Sequence, residues 1–359
     1  MSKFLIIAFH PRTMTPYARQ YEEEILKQGF QYDIVFWDRF SKGPLKKNGN
    51  EYIFQCPCTL GGNKLKKFYP FYLFRKTILQ ILSSMPYDKL IILNTMPGFL
   101  LQDVLLQHYK GRYVLDIRDY TYEKYALYKS RVLSLVDNSC FTALSSRGFC
   151  QFLGTHSKFV ITHNISNELA KENEPTLSKH KSSICLGFVG VARAYEANTL
   201  LISKLAGKER YFLKYAGYHY PDCDLQEFCR QHQYAAVRFF PPYKNEEKPL
   251  LYKDIDIINT IFGDNTLEVS TNLPNRLYDG LLFQKPLLAS KNTYTGNLVE
   301  KYKIGLAVDV KRDDVYGELN RYVNNFDEEA FLTATETLLK KICEEQDRFH
   351  KNIERFVVL

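Results

Sequence analysis

Asn272 to Ser290 reads NLPNRLYDGLLFQKPLLAS, and helix-start, helix-stop and strand signals follow one another within it. Pro274 ends whatever precedes it, Asn275 and Arg276 stand where a helix begins, Tyr278 to Phe283 continues that helix, and Lys285-Pro286 stops it. Leu287 to Ser290 then reads as a short buried strand. A helix N-terminus with a cation beside it suits an anion, because unpaired backbone N–H groups and the helix dipole both point there. The segment therefore predicts a phosphate-binding candidate on an α/β scaffold.

The flanking sequence carries the same alternation. Strand candidates at Lys3 to Phe9, Tyr32 to Trp37, Leu90 to Leu93, Arg112 to Ile117, Cys140 to Ala143 and Phe159 to Thr162 have helical patterns between most of them, beginning with Tyr17 to Gln28. Residues 166–183, SNELAKENEPTLSKHKSS, are polar and lack apolar periodicity. After them come strands at Ile184 to Val189, Tyr211 to Ala216, Val237 to Phe240, Ile255 to Asn259 and Pro286 to Ser290, and a helix at Glu196 to Lys204. Strands alternating with helices imply parallel β-α-β packing. At 359 residues the chain is too long for one ordinary core. The expected division is 1–168, a linker at 169–183, 184–326, and a charged helical segment at 327–359 that packs across both domains through Phe331, Leu338, Leu339 and Ile342.

Composition is that of a globular protein, with 45% hydrophobic and 25% charged residues. Eight scattered cysteines show no zinc spacing, so the expectation is a reduced, cytoplasmic protein without a metal or other cofactor. No apolar run approaches the roughly 18 residues of a membrane span, which leaves only peripheral membrane contact. The net charge of +8 is concentrated in residues 1–165, where 22 Lys/Arg face 12 Asp/Glu. Residues 64–76, KLKKFYPFYLFRK, mix cations with five aromatics, and suit either an anionic bilayer surface or a helix that turns its rings inward.

The segment Asn272 to Ser290 resembles the carboxyl-terminal domain of GT-B glycosyltransferases, with their Pro-x-Lys-x-x-Glu and Gly-x-Pro-hydrophobic pattern. RYVLDIRDY (112–120), LVDNSCFTALSSRGFCQFL (135–153), VITHNIS (160–166), LGFVGVARAYE (186–196) and IGLAV (304–308) resemble successive parts of the same architecture in the same order. The resemblance is to the bacterial polysaccharide-building, retaining family-four-like group. It implies an α/β fold of two Rossmann-like domains facing an interdomain cleft. It also implies transfer of a sugar from a nucleotide-sugar donor to a hydroxyl of a cell-surface glycan intermediate, such as capsule, O-antigen or a teichoic-type polymer. The implied partners are that donor, a glycan or lipid-linked glycan acceptor, and an anionic membrane surface on the inner face of the cell membrane. The rival readings are a sugar-nucleotide 2-epimerase of the same fold and a non-catalytic nucleic-acid- or partner-binding protein. Nucleic acid is the less expected partner.

Negative charge develops on the departing diphosphate, so such a site needs fixed positive charge and N–H donors. On the resemblance, Arg276 takes the place of the pattern's Lys, with Asn275 and Tyr278 beside it, and Gly190 and Arg193 form the glycine turn and diphosphate arginine of the carboxyl domain. Asp279 stands where a Glu accepts hydrogen bonds from the nucleotide ribose; its usual partner is replaced by Thr271, with Glu268 nearby. Asp116, Arg118 and Asp119 cluster at the end of a predicted strand, where ligand crevices form. Asp119 is the first candidate general base for an inverting reaction and Asp116 the second, with Arg118 an acceptor contact or the partner in an internal ion pair. His10 and Arg12 lie at the same edge as acceptor contacts, and Asn164 lies at the domain junction.

Overall fold

The fold comes from a computed structural model that describes residues 2–58, 64–165, 177, 180–220, 222–263 and 266–359. Of the expected linker only residues 177 and 180–183 are among these. The chain forms two compact units, one comprising Met1–His163 with Glu344–Leu359, the other Asn164–Cys343.

The first unit holds an eight-stranded sheet of β1 (Lys3–Ala8), β2 (Gln31–Asp38), β3 (Lys46–Asn48), β4 (Glu51–Gln55), β5 (Lys89–Leu93), β6 (Tyr113–Ile117), β7 (Phe141–Leu144) and β8 (Phe159–Ile161). Their order is β3-β4-β2-β1-β5-β6-β7-β8, parallel except for the β3 edge. Such a sheet is covered on both faces, so its strands read as continuous apolar runs. In β1, Leu5 and Ile7 join the core around Trp37 and Phe74, while Phe4, Ile6 and Ala8 join the core on the opposite face. The chain departs from β1 toward β2 on one side and resumes at β5 on the other, which makes a topological switch point beside β1.

The second unit repeats the design with β9 (Ile184–Val189), β10 (Tyr211–Ala216), β11 (Val237–Phe240), β12 (Ile257–Thr260), β13 (Leu287–Ser290) and β14 (Gly305–Val308), in the order β11-β10-β9-β12-β13-β14. This is the 3-2-1-4-5-6 order of a dinucleotide-binding Rossmann sheet, and its switch point lies between β9 and β12. In β9, Leu186 and Phe188 face one core and Cys185 and Val189 the other.

Three elements bear on the sequence expectation. The hairpin of β3 and β4 was absent from it, because Lys46, Lys47 and Asn48 are exposed and carry no apolar pattern; a charged edge strand of this kind resists pairing with other chains. The final helix runs over Glu328–Val358, within the expected helical segment 327–359. Its first part packs Phe331, Leu338 and Ile342 into the second unit, and its last part packs Phe349, Ile353, Phe356 and Val357 against one face of the first sheet. Glu345 on this helix accepts hydrogen bonds from Arg147 and His163, both at 2.9 Å. Burial alone would raise its pKa, but these two partners outweigh burial and hold the carboxyl at about 2. Finally, the helix Phe68–Ser84 divides its aromatics: Phe74 is buried and Phe71 half-buried, whereas Phe68, Tyr69 and Tyr72 are exposed on the side that carries Lys76.

Candidate functional site

The second unit gathers most of its unusual chemistry at the carboxyl end of β9. Gly190, the first residue past the strand, adopts φ +141°, and its N–H donates to Ala216 O at 2.8 Å. The following loop stays paired to the loop after β10, where Ala192 N donates to Tyr218 O and Tyr220 N to Ala192 O. Gly217, at φ +125°, lies so close to Gly190 O that a Cβ there would overlap the carbonyl. Two glycines thus let two strand-ending loops touch, which larger residues would forbid.

Arg276 arrives at this point from the helix Asn275–Leu282, whose N-cap position, Pro274, offers no side-chain acceptor. Its guanidinium lies 3.6 Å from the Phe188 ring centroid and 4.7 Å from that of Phe262, so the cation is held by aromatic faces. A Cβ on Gly190 would sit 3.1 Å from Arg276 Nη1, so glycine leaves the guanidinium its space. Nη1 makes a long contact of 3.4 Å to Val189 O, while Nε and Nη2 have no partner among the described residues. The residue is only 5% exposed. Burial lowers its pKa to about 10, against the opposing influence of Tyr252 and Asp279, and the group stays charged at neutral pH. Two residues 86 positions apart in sequence, Gly190 and Arg276, are therefore in contact, and the cation between them has unfilled donors.

The other expected donor contacts are placed differently. Both oxygens of Asp279 are taken, by Lys248 Nζ at 3.0 and 3.2 Å and by Tyr252 OH at 2.8 Å. Asp279 is thus the counter-charge of Lys248, as a buried carboxylate needs a charged partner. Tyr278 is a buried core residue, and Thr271 is buried and bonds back to Leu267 O within its own helix. Glu268 is exposed. Asn275 is exposed and its Oδ1 accepts from Asn164 Nδ2 at 3.3 Å. Arg193 is exposed too, with its guanidinium 4.8 Å from the Tyr220 ring centroid.

A hollow lined by Ala194, Glu196, Phe262, Gly263, Ser290 and Lys291 opens at the ends of the neighbouring strands. Ser290 Oγ accepts from Phe262 N and Gly263 N, which fixes its floor. Phe262 borders both this hollow and the Arg276 cation. Sequence reading missed Gly263, Ser290 and Lys248; a glycine soon after a strand, at Gly263, and a hydroxyl at a strand end, at Ser290, were the available signals.

In the first unit, Asp116 and Arg118 belong to each other. Arg118 donates through Nε at 2.6 Å and Nη2 at 2.8 Å to the two carboxylate oxygens, and Tyr21 OH adds a bond at 2.9 Å. Asp116 is 0% exposed and Arg118 6%. Burial works against the charge on Arg118, yet Asp116 outweighs it and raises the pKa. The pair is an internal ion pair, and neither member presents a free group to a substrate. Asp119 is exposed just beyond β6, so of the two candidate bases it alone reaches the surface. Arg12 is engaged by Glu22 and, at 3.3 Å, by Glu51, which turns it into a surface ion-pair residue. His10 is half-buried, and its Nδ1 has no partner among the described residues.

The two parallel sheets and their strand orders define an α/β protein of the GT-B architecture. Solved structures with that architecture superpose over nearly the whole chain. Sucrose-phosphate synthase from Thermosynechococcus elongatus matches with a TM-score of 0.66 at 12% identity, over 99% of this chain and 94% of that one. HepE from Anabaena, solved in complex with UDP, matches with a TM-score of 0.69 at 13% identity, over 99% and 100%. The lipopolysaccharide outer core galactosyltransferase WaaB matches with a TM-score of 0.66 at 12% identity, over 99% of each chain. No protein-family model matches the chain, and no curated protein sequence matches it. At these identities the likeness is one of fold.

Proposed function

We propose that the protein is a glycosyltransferase that moves a sugar from a nucleotide-sugar donor to a hydroxyl of a cell-surface glycan intermediate, of the capsule, O-antigen or teichoic type. The observation that carries this reading is Arg276, a buried guanidinium with unfilled donors, set against Gly190 at the switch point of a Rossmann sheet. Burying a cation without a counter-charge is costly. A diphosphate there supplies the missing charge, and Arg276 then stabilises the negative charge that grows on the leaving group as the glycosidic bond breaks. In this proposal Arg276, Arg193 and the backbone N–H groups at the helix start carry that charge without a metal ion. Asp119 takes the acceptor proton if the reaction inverts configuration.

UDP is the first diphosphate to test, since HepE was solved with it. A thermal-shift screen of nucleoside diphosphates is expected to show stabilisation by at least one of them, about 2.7 kcal/mol at a hundredfold excess over Kd. If none raises the melting temperature, the donor site is misplaced. Incubation with nucleotide-sugar alone should leave it unchanged; a new sugar nucleotide would instead mean epimerisation.

Among the described residues no helix is long and apolar enough to cross a membrane. The exposed Phe68, Tyr69 and Tyr72, flanked by the exposed Lys66 and Lys76, support an anionic bilayer as the surface on which the acceptor is met. Co-sedimentation with phosphatidylglycerol vesicles but not with phosphatidylcholine vesicles is the expected result. Equal recovery with both kinds would remove the membrane from the proposal.

A further inference from the structure

Three arginines are buried among the described residues: Arg39, Arg118 and Arg276. Arg118 has Asp116 as its counter-charge. Arg276 is in no ion pair among the described residues, although the charge of Asp279 reaches it, and it forms the proposed diphosphate site. Arg39, in the first unit, repeats the Arg276 arrangement, and neither the donor nor the proposed chemistry uses it.

Arg39 follows β2 directly, and His10 lies two residues past β1. The two strands are neighbours and parallel, so both residues stand at the same carboxyl edge of the sheet. The Arg39 guanidinium carbon lies 4.1 Å from the Phe9 ring centroid and 4.5 Å from that of Trp37. Its Nε donates to Phe9 O at 3.2 Å, Nη2 has no partner among the described residues, and the residue is 6% exposed. The neighbouring carboxylate, Asp38, does not serve as its counter-charge: its oxygens accept from Phe40 N, Ser41 N and Gln55 Nε2. His10 packs its ring against Phe9, and its Nδ1 is the second unfilled polar atom of the group. Burial, and secondarily the Arg39 charge, lowers the His10 pKa to about 4, and burial lowers that of Arg39 to about 10. In both groups burial is the larger cause, because it disfavours the charged form.

A guanidinium fork beside an imidazole matches an oxyanion that can take two N–H bonds from one and a further bond from the other. A dianion fits better than a carboxylate, because it both compensates Arg39 and favours protonation of His10. We propose that His10 and Arg39 form a second anion site, within the first unit, that receives the phosphate monoester of a phosphorylated acceptor. The word acceptor rests on the glycosyl-transfer reading; phosphate binding at these two residues does not.

The test is histidine NMR on the full chain, with the His10 signal assigned through His10→Gln and titrated with and without glucose 6-phosphate. Binding is expected to raise the His10 pKa by at least two units from its value near 4 and to stabilise the parent protein. Arg39→Lys keeps the charge but loses the fork, and should weaken the sugar phosphate at least tenfold; Arg39→Met should lose the His10 shift, and the Lys variant carries the test if the Met variant does not fold. Arg276→Met should keep the full His10 response even though it loses nucleoside diphosphate, so failure of the donor site and failure of this one are read separately. An unmoved His10, or an equal response in Arg39→Lys, overturns the proposal. An equal response to glucuronate overturns the assignment to phosphate.

Discussion

Arg276→Met is expected to abolish stabilisation by UDP while leaving the unliganded protein at least as stable as the parent. The two effects have opposite origins. In the free protein the guanidinium is buried, with Nε and Nη2 unfilled and only a 3.4 Å contact from Nη1 to Val189 O. Replacing a poorly compensated buried charge with an apolar side chain of similar length is commonly neutral or stabilising, by about 1–4 kcal/mol in measured buried ion-pair cases. Methionine would keep much of the packing on Phe188 and Phe262. In the complex, the same nitrogens would bond phosphate oxygens, and each charge-assisted bond is worth about 1.5–3 kcal/mol. Loss of such a donor from the transition state typically lowers turnover by about 10²–10³-fold. Thermal melts of parent and variant, with and without UDP, check the first part, and initial transfer rates check the second. An unchanged UDP response in the variant would detach Arg276 from the donor.

Arg118→Leu is expected to destabilise the first unit by about 3–5 kcal/mol, the usual cost of stranding one member of a buried ion pair. Asp116 would keep only the Tyr21 hydroxyl as a partner at zero exposure. Urea unfolding followed by the single tryptophan, Trp37, reads this directly, because that residue sits in the first unit's core. The complementary change, Asp116→Asn, should also cost stability. A variant that stays as stable as the parent but loses transfer activity would return Asp116 to the role of base.

The strands were legible as apolar and aromatic runs, unbroken where both faces are covered, as in Ile184 to Val189, and interrupted by Lys214 and Arg238 toward the sheet edge. Ile184 to Val189, Tyr211 to Ala216 and Val237 to Phe240 appear at the same residues in sequence and in structure. Arg276 was marked by a local signal, a cation at a helix start, and Gly190 by the family resemblance. What stayed hidden was pairing across long separations. Nothing near Asp279 announces Lys248, 31 residues away, yet that ion pair decides whether the carboxylate is available. Asp116 and Arg118 illustrate a second limit: residues two apart on a strand and its end can be either two functional groups or one closed pair, and only their burial distinguishes these. Arg39 escaped notice for a third reason. A lone arginine after a strand usually projects into water, and its cage of Phe9 and Trp37 comes from two strands.

The helix Glu328–Val358 bears on the order in which the chain can become native. Residues 344–359 belong to the first unit, although about 180 residues of the second unit separate them from His163. During synthesis the face of the first sheet formed by Phe4, Ile6 and Phe141 waits for Phe349, Ile353 and Phe356. The second unit's sheet is complete before those residues emerge from the ribosome. Folding vectorially, the half made first is the half finished last, and its exposed apolar face is the interval's main aggregation hazard.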